Sequence, residues 1–77
     1  MEVSYKVKKI FSDVLEVSIE QINDETSPNN TSSWDSFNMV KLVVKLEEEF
    51  SISIGIEEVI TIKSFANMLA LIKNKIN

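Results

Sequence analysis

The chain has neither cysteine nor histidine among its 77 residues. Without cysteine it cannot form disulfide bonds, thiolate metal sites or a cysteine nucleophile. Without histidine it lacks the usual general base, so none of its serines can belong to a Ser-His-Asp triad. We therefore expect a protein that is not an enzyme and that has neither catalytic residues nor a metal site.

Glycine and proline each occur only once, and 44% of the residues are hydrophobic. This composition predicts a packed helical domain rather than a disordered chain. Seventy-seven residues make one domain, 1–77, at a size where a single core is only just sufficient. The net charge of −4 argues against a nucleic-acid partner and suits basic protein surfaces.

Long apolar runs are also missing. None approaches the roughly 18–20 residues of a membrane span, and no signal peptide is visible. We therefore expect a cytoplasmic protein, a monomer, that does not insert into membranes.

Apolar residues recur at helical spacing in the first segment, which predicts an amphipathic helix from about residue 3 to residue 16. The polar stretch 18–35 follows, and it is unusually long for a loop in a compact domain. It opens with the Ser-x-x-Gln form of a capping box, Ser18 to Gln21, which predicts a short helical turn. We expect Ile19 and Ile22 to anchor the loop to the core.

The second long helix is predicted to run from Ser36 to about Phe50, with Asp35 as its N-cap. At 100° per residue, one group of apolar side chains falls within an arc of roughly 100°. We expect this arc to face the core, and it consists of Met39, Leu42, Val43, Leu46 and Phe50.

Three further apolar residues of this helix, Phe37, Val40 and Val44, form a strip on the far side of Glu47. The strip is either buried by a second part of the domain or exposed for docking. We favour docking, because burial on two sides is hard to arrange in so small a domain. The neighbouring run Glu47–Glu49 is also compatible with a solvated face, supported by a Lys45–Glu49 pair at i, i+4.

The remaining segment alternates apolar residues at 50, 52 and 54, which predicts an extended connection that Gly55 can turn. One or two helical turns are expected from Ile56 to Ile60. The last helix is predicted to begin at the N-cap Thr61 and to carry Lys73 and Lys75 in its last turn. Together these patterns predict an all-α fold with three longer helices and one short helix.

Ser36 stands where the long loop becomes the second helix. A helix N-terminus offers unpaired N–H groups and a partial positive charge, so it suits a negatively charged phosphodiester. This position is typical of a post-translational attachment point. The alternative is that Asp35 merely caps the helix and Ser36 fills its first turn, because Asp-Ser is a common dipeptide.

The residues that follow Ser36 are more specific. From 36 to 54 the chain reads SFNMVKLVVKLEEEFSISI. This resembles the acyl carrier protein family, in which Asp-Ser-Leu precedes an apolar helix, an acidic run ending in Phe and an Ile a few residues later. The resemblance extends over essentially the whole chain. It implies a four-helix acyl-carrier-like bundle with a long loop between helices 1 and 2.

The resemblance also implies a function. In the family the serine carries 4′-phosphopantetheine, so Ser36 is the expected attachment point. A phosphopantetheinyl transferase would attach the group from coenzyme A, and an acyl or aminoacyl cargo would be carried as a thioester and presented to acyl-loading and acyl-transfer enzymes. The expected partner-binding residues surround this position: Asp35, Phe37, Val40, Lys41, Val44, Glu47, Glu48 and Glu57.

Family members can tuck the acyl chain between helices. The residues expected to line such a pocket are Val43, Leu46, Ile54, Ile62 and Leu69. A closed core without a pocket is the alternative, and it would suit a carrier of short acyl or aminoacyl groups.

The sequence departs from the common family pattern close to Ser36. Phe37 replaces the motif leucine, Asn38 and Lys41 stand where acids are common, and Trp34 precedes the Asp-Ser pair. These departures favour a specialised pathway over housekeeping fatty-acid synthesis. The sequence leaves the cargo open between a fatty acyl group, a polyketide unit, an amino acid and a cell-surface precursor. The alternative function is an unmodified helical interaction domain that binds a partner through Phe37, Val40 and Val44.

Overall fold

The computed structural model describes residues 2–77. Helix α1 spans Val3–Leu15 and is followed by a single 3₁₀ turn, Ile19–Gln21. Helix α2 spans Ser36–Phe50, the short α3 spans Ile56–Val59, and α4 spans Phe65–Ile76. The predicted all-α fold, with three longer helices and one short helix, is therefore confirmed.

Aromatic side chains form the centre of the core. The Phe11 ring of α1 makes edge-to-face contacts with Trp34, at 5.1 Å between ring centroids, and with Phe65 of α4, at 5.0 Å. Trp34 is only 3% exposed, although its loop position gave no sign that it belongs to the core. The fully buried aliphatic residues around these rings come from α1, α2, α4 and the loop: Val7, Leu15, Ile22, Leu42, Leu46, Met68 and Ile72.

The predicted core arc of α2 is confirmed, but its residues are buried to different depths. Leu42 and Leu46 have no exposed surface, whereas Met39, Val43 and Phe50 are partly buried against the same cluster. An amphipathic helix places its central apolar residues deepest and its flanking ones at the margin. The arc thus fixes which face of α2 is free to point outwards.

The long loop is held in place by hydrogen bonds to α4. The N–H groups of Phe65 and Ala66 donate to the backbone carbonyls of Thr26 and Asp24, at 2.7 and 3.3 Å. These are among the amides that a helix leaves unpaired at its first turn. The loop therefore caps α4, and the buried Ile22 anchors it to the core as expected, whereas Ile19 is only half-buried and lies outside the core cluster.

The predicted N-cap of the last helix was wrong. Ser64, not Thr61, caps α4, and its Oγ accepts a hydrogen bond from the N–H of Asn67 at 3.2 Å. The Thr61 hydroxyl instead donates to the carbonyl of Glu58 at 2.7 Å, which closes the end of α3. The additional turn of helix expected before Phe65, residues 62–64, does not form, because the N–H groups of Thr61 and Ile62 donate to the carbonyls of Glu58 and Val59 in tight i, i+3 turns.

A carboxylate joins α3 to α4. Glu58 accepts a hydrogen bond from the N–H of Gly55 at 2.9 Å and lies 3.0 Å from the ammonium group of Lys75. The Gly55 amide, followed by Lys75, holds the pKa of Glu58 below its ordinary value. The lowered pKa means that the folded state binds a proton at Glu58 less readily than the unfolded chain does.

We expect the stabilisation from Glu58 to be present at neutral pH and lost in acid. It is complete above the ordinary glutamate pKa and disappears as the pH falls through the lowered folded-state pKa. Wild type should therefore resist urea better than Glu58→Gln at pH 7, and the gap should close in strong acid. Glu57→Gln is the matched control on the same turn, and a gap of equal size for both variants would contradict this role.

Among residues 2–77, no helix combines the length and the apolar character needed to cross a membrane.

Candidate functional site

Ser36 is the first residue of α2, and its side chain is exposed. Asp35 caps the helix as predicted: its carboxylate accepts a hydrogen bond from the N–H of Asn38 at 2.8 Å, and its carbonyl accepts one from Met39 at 2.8 Å. Within residues 2–77, the N–H groups of Ser36 and Phe37 donate to no acceptor. The Ser36 hydroxyl thus lies beside two free amides at the positive end of a helix dipole.

Asn38 fixes the turn that leads into Ser36. Its side-chain amide donates to the carbonyl of Ser33 at 2.8 Å, and the N–H of Asp35 donates to the same oxygen at 3.1 Å. The sequence suggested only that an acid had been lost at this position. The structure shows that the amide acts as a donor here, which a carboxylate cannot do.

We expect Asn38→Asp to lower the free energy of unfolding by about 1 kcal/mol. The variant loses the hydrogen bond to the Ser33 carbonyl and places a carboxylate oxygen against that carbonyl oxygen. The favourable interaction of the new negative charge with the dipole of α2 offsets a few tenths of a kcal/mol of the loss. Asn67→Asp is the control, because Asn67 occupies the same position in α4 but uses its Oδ1 as an acceptor, for the N–H of Lys63 at 2.9 Å. Urea melts should show the control unchanged or stabilised; equal losses in both variants would contradict the donor role.

An open groove of about 420 Å³ runs beside Ser36. It lies between the end of the long loop, the start of α2 and the α3 region. Its floor contains Trp34 and Met39, whose side chains are joined by a bond from the indole N–H to the sulfur at 3.3 Å. The complete lining is Pro28, Trp34, Asp35, Ser36, Met39, Val59, Ile60 and Ile62.

The second apolar strip of α2 is exposed. Phe37 is 71% exposed, Val40 62% and Val44 45%, so burial on two sides does not occur. The ammonium group of Lys41 lies 5.4 Å from the centroid of the Phe37 ring, at a cation–π distance. The strip and Lys41 therefore lie together on the exposed face of α2, the helix that begins at Ser36.

The comparisons with known proteins agree with this geometry. A family model described as "Phosphopantetheine attachment site" matches residues 6–72. The chain belongs to the acyl carrier protein family. Members of this family carry acyl groups on phosphopantetheine and are not catalytic, so the chain is a carrier rather than an enzyme.

Curated relatives of similar length cover nearly the whole chain. The acyl carrier protein of Thermosynechococcus vestitus is 37% identical over 75 residues, which is 97% of this chain and 93% of that protein. The acyl carrier protein of Nitratidesulfovibrio vulgaris strain Miyazaki F is 36% identical over 75 residues, covering 97% of this chain and 99% of the relative.

The fold has a solved counterpart. The solution structure of a holo acyl carrier protein from Geobacter metallireducens aligns with a TM-score of 0.85 at 27% sequence identity, covering 97% of this chain and 86% of that one. The predicted family resemblance and acyl-carrier-like fold are both confirmed.

The residues predicted to line an acyl pocket in this carrier do not surround the groove. Leu46, Ile54 and Ile62 are buried in the core, and Val43 and Leu69 are partly buried against it. Of the five, only Ile62 lines the groove beside Ser36. The pocket stays a prediction.

Two of the acids along α2 are engaged inside the carrier. Glu47 accepts a hydrogen bond from the N–H of Ile54 at 2.8 Å, which fixes the connection to α3. Glu49 pairs with Lys6 of α1 at 3.1 Å rather than with Lys45, so the expected Lys45–Glu49 pair was wrong. The contact between helices competes successfully with the local i, i+4 pair.

Two exposed residues of the carrier were missed by the sequence analysis. Ile56 and Ile60 of the α3 region are both largely exposed, and Ile60 also lines the groove. Their i, i+4 spacing was visible in the sequence. The spacing predicts only a short helix, because so short a segment gives no periodicity that would distinguish a buried face from an exposed one. Glu48 and Glu57, the other predicted partner-binding acids, are exposed.

Proposed function

We propose that this carrier bears its 4′-phosphopantetheine on Ser36 and serves a specialised pathway. The observation that supports the attachment point is the exposed Ser36 hydroxyl at the first residue of α2, inside the span that matches the family model. Other nearby hydroxyls are less suitable. The Ser33 Oγ is buried, and the Ser64 Oγ caps α4.

The residues around Ser36 fit a phosphodiester. The free amides of Ser36 and Phe37, with the dipole of α2, would stabilise its negative charge. The prosthetic group supplies the thiol that a chain without cysteine lacks. The groove over Trp34 and Met39 offers an apolar surface along which the arm can lie.

The absence of cysteine gives a direct test of the attached group. After incubation with a phosphopantetheinyl transferase and coenzyme A, the purified chain should gain one titratable thiol per molecule. Since the chain has no thiol of its own, any thiol that remains after removal of coenzyme A reports the prosthetic group. A chain that gained no thiol after incubation with the transferase and coenzyme A would contradict the proposal.

The specialised pathway is proposed from the chemistry of the partner face. Phe37, Val40 and Val44 make this face apolar, and Lys41 places a positive charge on it. A basic enzyme surface of the kind that binds acidic carriers would meet Lys41 unfavourably. We place the carrier in the cytoplasm as a monomer that serves acyl-loading and acyl-transfer enzymes. The candidate cargoes remain a polyketide unit, an amino acid, a cell-surface precursor and a fatty acyl group.

The alternative, an unmodified interaction domain, depended on the same exposed strip. Membership of the carrier family accounts for the strip and for Ser36 together, whereas the alternative leaves Ser36 without a role. We therefore do not favour it.

We expect Lys41→Glu to raise the rate of acyl transfer to a generic fatty-acid ketosynthase. The increase should reach up to about fivefold at low salt, because an exposed ion pair contributes about 0–1 kcal/mol. It should shrink as salt rises, since screening acts over roughly 8–10 Å. The measurement is the transfer rate from loaded wild type and variant across a salt series.

Lys8→Glu on α1 is the control for this experiment, because it changes the net charge equally on another helix. Equal rates for wild type and Lys41→Glu at low salt would mean that Lys41 is merely solvated. The proposal of a specialised set of partners would then lose its main support.

A further inference from the structure

Trp34 lies between the groove beside Ser36 and the centre of the core. It lines the groove, and its ring contacts that of Phe11 edge to face, at 5.1 Å between ring centroids. Phe11 in turn contacts Phe65 of α4, and both phenylalanines are fully buried. Because only 3% of Trp34 is exposed, its side chain fills the space between the groove and the two phenyl rings.

Hydrogen bonds hold the indole in this position. Its N–H donates to the Met39 sulfur at 3.3 Å, and the backbone N–H of Trp34 donates to the carbonyl of Thr31 at 2.9 Å. The carbonyl of the preceding residue, Ser33, accepts a hydrogen bond from the Asn38 side chain at 2.8 Å. A buried ring that moved away would lose these bonds together with its apolar contacts. Trp34 is therefore a fixed part of the groove floor rather than a mobile cover.

The groove meets the core mainly at this ring. Trp34 is the only aromatic residue in the groove lining and hence its bulkiest side chain. Of the residues predicted to line an acyl pocket, only Ile62 lines the groove, whereas Leu46 has no exposed surface at all. An acyl chain that starts from Ser36 must therefore leave the groove to reach the predicted pocket, and the indole stands in its way.

We propose that Trp34 is a specificity-determining residue, which closes the route from the groove to the core and so keeps the acyl group outside the helical domain. The inference rests on the proposed function, because it concerns the cargo of the arm on Ser36. A saturated chain left in water exposes apolar surface, and the cost rises with each CH₂ group. The cargo that fits is an acyl group with little apolar surface, such as a short acyl or an aminoacyl group.

The test compares two cargoes on the full wild-type chain. A phosphopantetheinyl transferase that accepts acyl coenzyme A loads either acetyl or octanoyl phosphopantetheine, and hydroxylamine then cleaves the thioester. Each cleavage rate is divided by that of the same thioester on coenzyme A, which removes the intrinsic difference between the two esters. We expect the two normalised rates to agree within about twofold, because neither thioester is drawn into the domain.

Trp34→Leu should open the route, because it removes most of the ring and keeps the site apolar. An apolar cavity of this kind accepts apolar ligands. We expect the octanoyl thioester of this variant to be cleaved about fivefold more slowly than the acetyl thioester, since only the fraction of chains outside the cavity reacts. Phe65→Leu is the matched control: it also removes a buried ring of the aromatic cluster, but Phe65 does not line the groove. We expect no protection there.

A second readout needs no substitution. Trp34 is the only tryptophan of the chain, so its fluorescence reports its own surroundings. An octanoyl chain that displaced the indole would expose it to water and shift its emission to longer wavelength. We expect the same emission from the holo, acetyl and octanoyl forms of the wild type. This measurement and the wild-type cleavage rates test the proposal even if Trp34→Leu does not fold.

Three results would overturn the proposal. They are protection of the octanoyl thioester or a longer-wavelength emission in the wild type, a folded Trp34→Leu chain without protection, and equal protection in Phe65→Leu. Failure of the proposed function looks different. A wild-type chain that gains no mass with the transferase and acyl coenzyme A rejects Ser36 as the attachment site, whereas a loaded wild type retains that site whichever way the cleavage rates fall.

Discussion

Ser36→Ala should abolish the mass increase that a phosphopantetheinyl transferase produces with coenzyme A. The wild-type chain should gain the mass of a single phosphopantetheine, because Ser36 alone combines the Asp-Ser motif with an exposed hydroxyl at the start of α2. The variant keeps the Asp35 cap and the bond from Asn38 to Ser33, neither of which uses the Ser36 side chain. The expected effect is therefore complete loss of modification without loss of the fold, measured by intact mass spectrometry and circular dichroism.

Neighbouring serines provide the controls. Ser32→Ala, Ser33→Ala and Ser64→Ala each remove a hydroxyl but leave the motif intact, so all three should be modified once. Ser64→Ala also removes the cap of α4 and should lower stability by about 1 kcal/mol while modification continues. A Ser36→Ala chain that still gained the group would refute the assignment. A Ser33→Ala chain that stayed unmodified would indicate Ser33 as the attachment site instead.

Local patterns in the sequence were sufficient to predict α2 and the place of Ser36. Helical periodicity, the Asp35 cap and the apolar arc all act within a few residues, so they can be recognised without knowledge of the fold. The same holds for the exposed strip, where the small size of the chain argued against burial on two sides. The structure confirms the helix, the cap and the exposure of the strip.

Interactions between distant segments could not be predicted in the same way. Trp34 is buried because the ring of Phe11 on α1 packs against it. The bonds from the first amides of α4 to the loop carbonyls join residues about forty positions apart, and they help to fix α4 at Ser64 rather than Thr61. Propensity and capping patterns describe only near neighbours, and tertiary contacts decide between competing caps.

The chemistry of the partner face also depended on long-range contacts. In the sequence, Glu47 and Glu49 count as two surface acids next to the motif. In the structure Glu47 accepts a hydrogen bond from the amide of Ile54 and Glu49 pairs with Lys6 of α1, so both carboxylates have partners within the domain. The role of Asn38 is likewise visible only in the structure. In the sequence it is a position where an acid is missing, whereas in the structure its side-chain amide donates the hydrogen bond that holds the turn before Ser36.

Leu46→Ala should lower the free energy of unfolding by about 2–5 kcal/mol, the range for a buried leucine truncated to alanine. Leu46 has no exposed surface and belongs to the main core cluster. Native domains are stable by only about 5–15 kcal/mol, and a chain of this size lies towards the lower end. Loss of Leu46 therefore removes a large share of the stability, and urea melts followed by circular dichroism should show a markedly lower midpoint.

Val44→Ala is the matched variant on the opposite face, two residues earlier in the same helix. Val44 is 45% exposed, so its truncation removes little buried surface, and the higher helix propensity of alanine returns several tenths of a kcal/mol. We expect its urea midpoint to stay close to that of wild type. Similar losses in the two variants would show that Val44 packs inside the domain. A difference of the expected size would mean that the fold does not need the Val44 side chain, which leaves its apolar surface available for burial by a partner.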